Sequence, residues 1–204
     1  MYVVLLTGGL ASGKSTAAAW LREWGASVID LDVIAAEVQE SNDTVRQLLA
    51  DAFGPDIFDG AGQLIRPRLA ERAFSSPENT ARLNAISWPP VIERVSDILV
   101  GGSCTLAEPA ASMTVIQIPL LAEAPEFLDL ADEVVAIEAP EELRLQRAIA
   151  RGLSRADAEQ RLASQASDAE RRALATTVFD NSGSREQLRD GLRTWYDERT
   201  ARLF

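Results

Sequence analysis

Residues 5–16, LLTGGLASGKST, constrain this chain more than any other stretch. An aliphatic run, 2-YVVLLT-7, passes through Gly8, Gly9 and Gly13 into Lys14, Ser15 and Thr16, and an alanine-rich segment follows. The spacing is G-x-x-x-x-G-K-[ST], in the setting of a strand that turns into a helix. Glycines let consecutive backbone N–H groups curl onto one anion, and the first helical turn adds its partial positive charge. Gly9, Ala11, Ser12, Gly13, Lys14, Ser15 and Thr16 are therefore the candidate cradle for the phosphates of a nucleotide. ATP is the expected donor, with Lys14 reaching its β- and γ-phosphates and the Ser15 hydroxyl holding Mg2+.

Lys14 is also the only lysine in the chain; every other basic side chain is an arginine. An ammonium is a compact charge on a flexible stem, suited to follow a phosphoryl group in transit, whereas a guanidinium is planar and bulkier.

The rest of the composition works mainly by exclusion. With no histidine and a single cysteine, Cys104, the chain has no Ser-His-Asp or Cys-His catalysis, no His-ligated metal site and no intramolecular disulfide. A catalytic base has to be a carboxylate or something weaker. A formal charge of −11 argues against a nucleic-acid partner, since phosphate-backbone affinity needs clustered cations. No apolar run approaches the roughly 20 residues of a membrane span, and the N-terminus enters a strand without a charged leader. A cytoplasmic protein with no membrane partner is expected.

Five short apolar runs, 2–7, 27–30, 112–118, 133–138 and 177–180, read as strands separated by helical stretches. Several are apolar at consecutive positions, as in a parallel sheet covered on both faces. The fold class expected is α/β, a P-loop NTPase domain with a five-stranded parallel sheet and helices on both faces. About 80 residues separate the second and third strands, too many for one crossover. They read as a helical lobe over about 33–100, broken at Gly54-Pro55, Gly60, Gly62, Pro77 and Pro89-Pro90. Residues 140–151 read as a helix, and 154–174, rich in arginine and poor in apolar anchors, as a solvated and mobile piece. Leu188, Leu192, Trp195 and Tyr196 share one face of a C-terminal docking helix.

Two absences narrow the chemistry. The guanine-reading N-K-x-D motif needs a second lysine, and the third strand runs out in Gln117-Ile118-Pro119 instead of the acidic pair of a water-activating ATPase. The second strand instead ends in 28-VIDLD-32. Residues two apart share a side of a strand, so Asp30 and Asp32 are expected to face the phosphates at the carboxyl end of the sheet. Asp32 is the candidate base for an attacking hydroxyl and a candidate Mg2+ contact through water. The competing reading is that Asp32 caps a helix starting near Val33.

With these residues in place the chain resembles the dephospho-CoA kinase family nearly end to end. The resemblance rests on LTGGLASGKS, VIDLD, 62-GQLIRPRLAERAF-74, the IPLL-x-E of 118–123, Arg144, Arg147 and Arg151, Gln165, and 180-DNSGS-184. It implies transfer of the γ-phosphoryl group of ATP to the ribose 3′-hydroxyl of dephospho-CoA. Asp32 would be the base, Lys14 and Arg147 would stabilise charge, and the stretch from Asn181 to Gly183 would lie beside adenine. The helical lobe would hold the acceptor, with Arg66, Trp88 and Leu120 as candidates, and about 148–168 would be the lid. The three arginines at i, i+3 and i+7 have an alternative as a solvated face paired with Glu141 and Glu142. Ala36, Trp88 and Gln117 stand where the family usually has an arginine, a histidine and an acid. Two rivals remain at this stage: a diverged kinase with another small-molecule acceptor, and a nucleotide-binding regulatory module without turnover.

Overall fold

The structure is a computed structural model and describes residues 1–104, 111–118, 121 and 124–202. Leu120 and most of the 118–123 motif lie outside the described residues, as does the side chain of Cys104. The chain forms two compact units, one of residues 1–30 with 102–204 and one of residues 31–101.

The first unit is built on a five-stranded sheet of β1 (Tyr2–Thr7), β2 (Ser27–Asp30), β3 (Met113–Gln117), β4 (Glu133–Glu138) and β5 (Thr177–Asp180). All pairings are parallel, in the order β2-β3-β1-β4-β5. The three inner strands are buried almost throughout, which explains their largely apolar sequences, while β5 at the edge alternates between half-buried and exposed. Strand order decides where a ligand fits. The chain leaves β1 toward β2 on one side and leaves β3 toward β4 on the other, so the carboxyl ends of β1 and β3 flank a topological switch point. The glycine loop follows β1 and sits there.

Helix α1 (Lys14–Glu23) covers the sheet with α9 (Arg185–Ala201). Ser184 and Gln187 form a capping box at the start of α9. Leu188, Leu192, Trp195 and Tyr196 then pack with Trp20 and Leu21 of α1 into the main core, as their spacing predicts. The Tyr196 hydroxyl donates to the Trp24 carbonyl at 2.9 Å, fixing the two helices to each other. After β4 come α6 (Glu141–Ala150), α7 (Arg155–Ala163) and α8 (Asp168–Leu174). The stretch 154–174 is thus two capped helices instead of one loose solvated piece. Ala158 of α7 is fully buried against Leu145 and Ala148 of α6.

In the second unit, α2 (Leu31–Ser41), α3 (Asp43–Phe53), α4 (Arg66–Ala73) and α5 (Pro77–Cys104) supply most of the structure. Pro89-Pro90 do not break it: α5 runs straight through them. Each proline deletes a backbone donor and crowds the carbonyl four residues back, but Val91 and Val95, both fully buried, hold the following turns in the core. Pro77 begins this helix, where a missing N–H costs nothing.

Candidate active site

Strand β1 ends at Thr7 and α1 starts at Lys14, so six residues make the whole turn. Gly13 caps the helix with φ 108° and offers no side-chain acceptor, which leaves the amides of the first turn for a ligand. Ala11 has φ 56°, a left-handed conformation that costs an L-residue about 1–2 kcal/mol. The surroundings hold the loop against that strain. A cleft of about 230 Å3 opens over the loop, lined by residues 8–16 together with Arg151 and Gln165.

Four side chains from distant parts of the sequence meet the loop. Asn181, just past β5, donates Nδ2 to the Ser12 carbonyl at 2.6 Å. Its own carbonyl accepts from Arg147 Nη2 at 3.0 Å, and its N–H donates to the Glu138 carbonyl at 2.6 Å. Gln165, between α7 and α8, accepts the Leu10 N–H through Oε1 at 2.8 Å. Arg144 and Arg171 confine the loop sterically: a methyl group at Gly9 would overlap Arg144 Nη1 and stand 3.1 Å from Arg171 Nη2. Gly13 is equally confined, because a side chain there would overlap Asn181 Nδ2.

The residues singled out in the sequence therefore divide. Gly9, Ala11, Ser12, Gly13, Lys14, Ser15, Thr16, Arg147 and Asn181 come together in the first unit. Ser15 is exposed on the first turn of α1, and Lys14 is half-buried. Gly183 lies in the exposed turn before α9, packed on Gln187 of the capping box. Asp32 departs from expectation. Strand β2 stops at Asp30 and Asp32 is the second residue of α2, so the two carboxylates do not share the side of a strand, and Asp32 lies inside the helix instead of capping it. The helix begins earlier than expected because Leu31 is drawn into the core, 2% exposed. In the second unit Arg66 is exposed and pairs with Glu40 at 2.7 Å, its Nη2 also reaching the Ala36 carbonyl at 3.3 Å. Trp88 is half-buried in α5.

Arg171 was not distinguishable in the sequence from its neighbour Arg172. In the fold it is 3% exposed and Arg172 is exposed. Arg171 Nε donates to Glu138 Oε1 at 3.0 Å, and its other nitrogens donate to Asp168 and to the Ala166 carbonyl. Nor is Arg144 part of a solvated face with Glu141 and Glu142: it is 4% exposed, bonded to the Ala139 carbonyl at 2.9 Å and to Asp168 Oδ1 at 2.7 Å. The available signal was Glu138, one of two acids that bound an apolar strand, which needs a cationic partner once buried and takes Arg171.

A cradle of this design serves many phosphate enzymes, and comparison with known proteins separates them. The dephospho-CoA kinase family model matches residues 2–187. A dephospho-CoA kinase of Corynebacterium diphtheriae is 43% identical over 189 residues, 92% of either chain. The chain belongs to the dephospho-CoA kinase family. A crystal structure from Thermus thermophilus matches with TM-score 0.78 at 35% identity over 97% of each chain. Dephospho-CoA kinase from Campylobacter jejuni matches with TM-score 0.70 over 99% of this chain and 98% of its own, and at 24% identity it bears on the fold alone. Within the dephospho-CoA kinase family this chain carries Gln117 as the buried last residue of β3 and Ala36 half-buried in α2.

Proposed function

We infer that the chain is a kinase that transfers the γ-phosphoryl group of ATP to dephospho-CoA, giving coenzyme A and ADP. The observation that carries this is the family match over nearly the whole chain. The geometry of the phosphate loop is consistent with it, and nothing favours a different acceptor or a binder without turnover.

The chemistry at the level of residues is our proposal. The ribose 3′-hydroxyl attacks the γ-phosphorus, its proton passes to the Asp32 carboxylate, and the bond to the β-phosphate oxygen breaks to release ADP. Asp32 is exposed on the first turn of α2, within reach of water that can take the proton afterwards. Lys14 and the amides at the start of α1 counter the charge on the transferred group, and Arg147 contributes from α6. Asn181 holds the loop by the Ser12 bond, and the turn through Gly183 is assigned to the adenine. Arg66, Trp88 and Leu120 are assigned to the acceptor, and about 148–168 to a lid.

Mg2+ fits this donor set as a companion of the nucleotide. Among the described residues no group of three or more histidine, cysteine or acidic side chains is placed to hold a metal ion, so they offer no cage of their own. Mg2+ keeps several waters and takes few protein ligands, and the exposed Ser15 hydroxyl supplies one, with Asp32 assigned a contact through water. The ion would neutralise phosphate charge. No helix among the described residues is long and apolar enough to cross a membrane, and we assign the enzyme to the cytoplasm, acting on small molecules and not on nucleic acid.

The test is an ATP-to-ADP coupled assay with and without dephospho-CoA, the product identified by mass. Stimulated turnover with formation of coenzyme A is expected. ADP formation unchanged by dephospho-CoA, in protein that binds ATP, would remove this acceptor.

A further inference from the structure

Besides the loop itself, two residues line the cleft over the phosphate cradle, Arg151 and Gln165. Gln165 is half-buried and hydrogen-bonded to the loop: its Oε1 accepts the Leu10 N–H at 2.8 Å. A backbone N–H needs an acceptor, so the oxygen of the carboxamide is turned to Leu10 and the nitrogen is left over. That nitrogen, Nε2, carries two N–H groups and donates to no described residue, on a side chain that faces the cleft.

The carboxamide is held in place from both directions along the chain. Gln165 lies in the short connection between α7 and α8, and its N–H donates to the Leu162 carbonyl at 3.4 Å. Leu162 packs, as Leu10 does, on the cluster of Ala11, Leu145, Ala148 and Ala158. On the other side the Ala166 carbonyl accepts from Arg171 Nη1. Arg171 is itself buried and donates through Nε to Glu138 Oε1 of β4 at 3.0 Å. The connection is thereby tied to the sheet through one residue and to the loop through the next. A donor fixed in this way meets an anion without first losing its rotamer freedom.

We propose that Gln165 bridges the loop and the nucleotide, with Oε1 holding the Leu10 N–H and Nε2 donating to a phosphate oxygen in the cleft. The proposal rests on the kinase reading and concerns the same nucleotide site. A carboxamide suits the position because it has an acceptor at one corner and a donor at the other. A carboxylate of the same length would hold Leu10 equally well but would turn a second oxygen toward the phosphates.

The full chain is titrated calorimetrically with MgADP, beside Gln165→Glu and Gln165→Ala. A residue that merely braced the loop would tolerate glutamate, which keeps the oxygen for Leu10, and would suffer most from alanine. A phosphate donor gives the opposite order: Gln165→Glu should weaken MgADP by about 10–100-fold and Gln165→Ala by about 3–10-fold. The Gln165→Glu loss should persist at about 1 M salt, where charges are screened within about 3 Å. A loss that salt abolishes is distant charge repulsion and overturns the proposal, as does a Gln165→Glu variant that binds better than Gln165→Ala. Should Gln165→Glu fail to fold, the parent supplies the second measurement. Its Gln165 side-chain NH2 signals, identified in nitrogen-15 spectra by their loss in Gln165→Ala, should shift and exchange more slowly with water when MgADP is added. Signals that MgADP leaves unchanged overturn the proposal. A parent chain that binds no MgADP overturns the kinase reading itself, and that result is seen before any variant is made.

Discussion

Asn181 Nδ2 lies 2.6 Å from the Ser12 carbonyl and ties the end of β5 to a loop 169 residues earlier in the chain. Ser12 contributes the acceptor from its backbone, so the bond sets the path of the loop itself. Asn181→Ala would leave that carbonyl without its donor, a loss of about 1–3 kcal/mol at a buried site. An increase of about tenfold in the KM for ATP is expected, with a small fall in melting temperature. Asn181→Asp should be worse, since it sets a carboxylate oxygen against a carbonyl oxygen. Equal steady-state constants for the parent and both variants would show that the loop keeps its shape without this tie.

Lys14 gives a chemical test that needs no mutation. It is half-buried at the first residue of α1 and is the only lysine present. Mild amine acylation of the native chain should modify Lys14 and the N-terminal amine alone, and MgATP should protect Lys14. Peptide mass spectrometry reads both sites in one experiment. Labelling of Lys14 at the same rate with and without MgATP would contradict its contact with phosphate.

Asp32→Asn separates binding from chemistry. General-base contributions are commonly about 10²–10⁴-fold, so kcat should fall within that range while MgADP affinity, read by calorimetry, changes by less than threefold. A variant that retains most of its turnover would move the base elsewhere, with Asp30 the next carboxylate to replace.

Glu133 predicts the acid limb of stability. Burial raises its pKa, yet hydrogen bonds from Arg199, Thr177, Trp195 and Tyr2 outweigh burial and bring it down to about 2 from 4.5. The folded-state value is depressed, so this contribution is complete above about pH 4.5 and is lost as pH falls toward 2. Arg199 Nε, 2.8 Å from Glu133 Oε2, carries the largest share. Up to about 3 kcal/mol is at stake, at roughly 1.4 kcal/mol per unit. Glu133→Gln should lower stability at neutral pH and flatten its dependence between pH 4.5 and 2, measured by urea unfolding across that range. Parallel curves for parent and variant would rule this out.

Much of the fold was legible because its signals are local. Four of the five strands begin and end where the apolar runs do, and β3 is one residue shorter at each end. The one helix spacing that mattered for packing, Leu188 to Tyr196, is a property of consecutive residues. Pro89-Pro90 misled because proline's local penalty is real, and only the burial of Val91 and Val95 overrides it. Asp32 misled for a related reason: two residues beyond Ile29 the chain had already changed from strand to helix, and the period of the side chains changed with it.

What the amino-acid sequence determined by itself is the phosphate cradle, its single ammonium, and the parallel sheet that presents them, all of which rest on spacings within about ten residues. Which arginines are buried was decided by the tertiary structure. Arg171 and Arg172 are adjacent and chemically identical, yet one is sealed beside Glu138 from β4 and Asp168 from the start of its own helix, and the other is in solvent. A charge is worth burying only where its counter-charge has been brought to meet it, and that meeting exists only once β4, α6 and α8 have closed around Gly9.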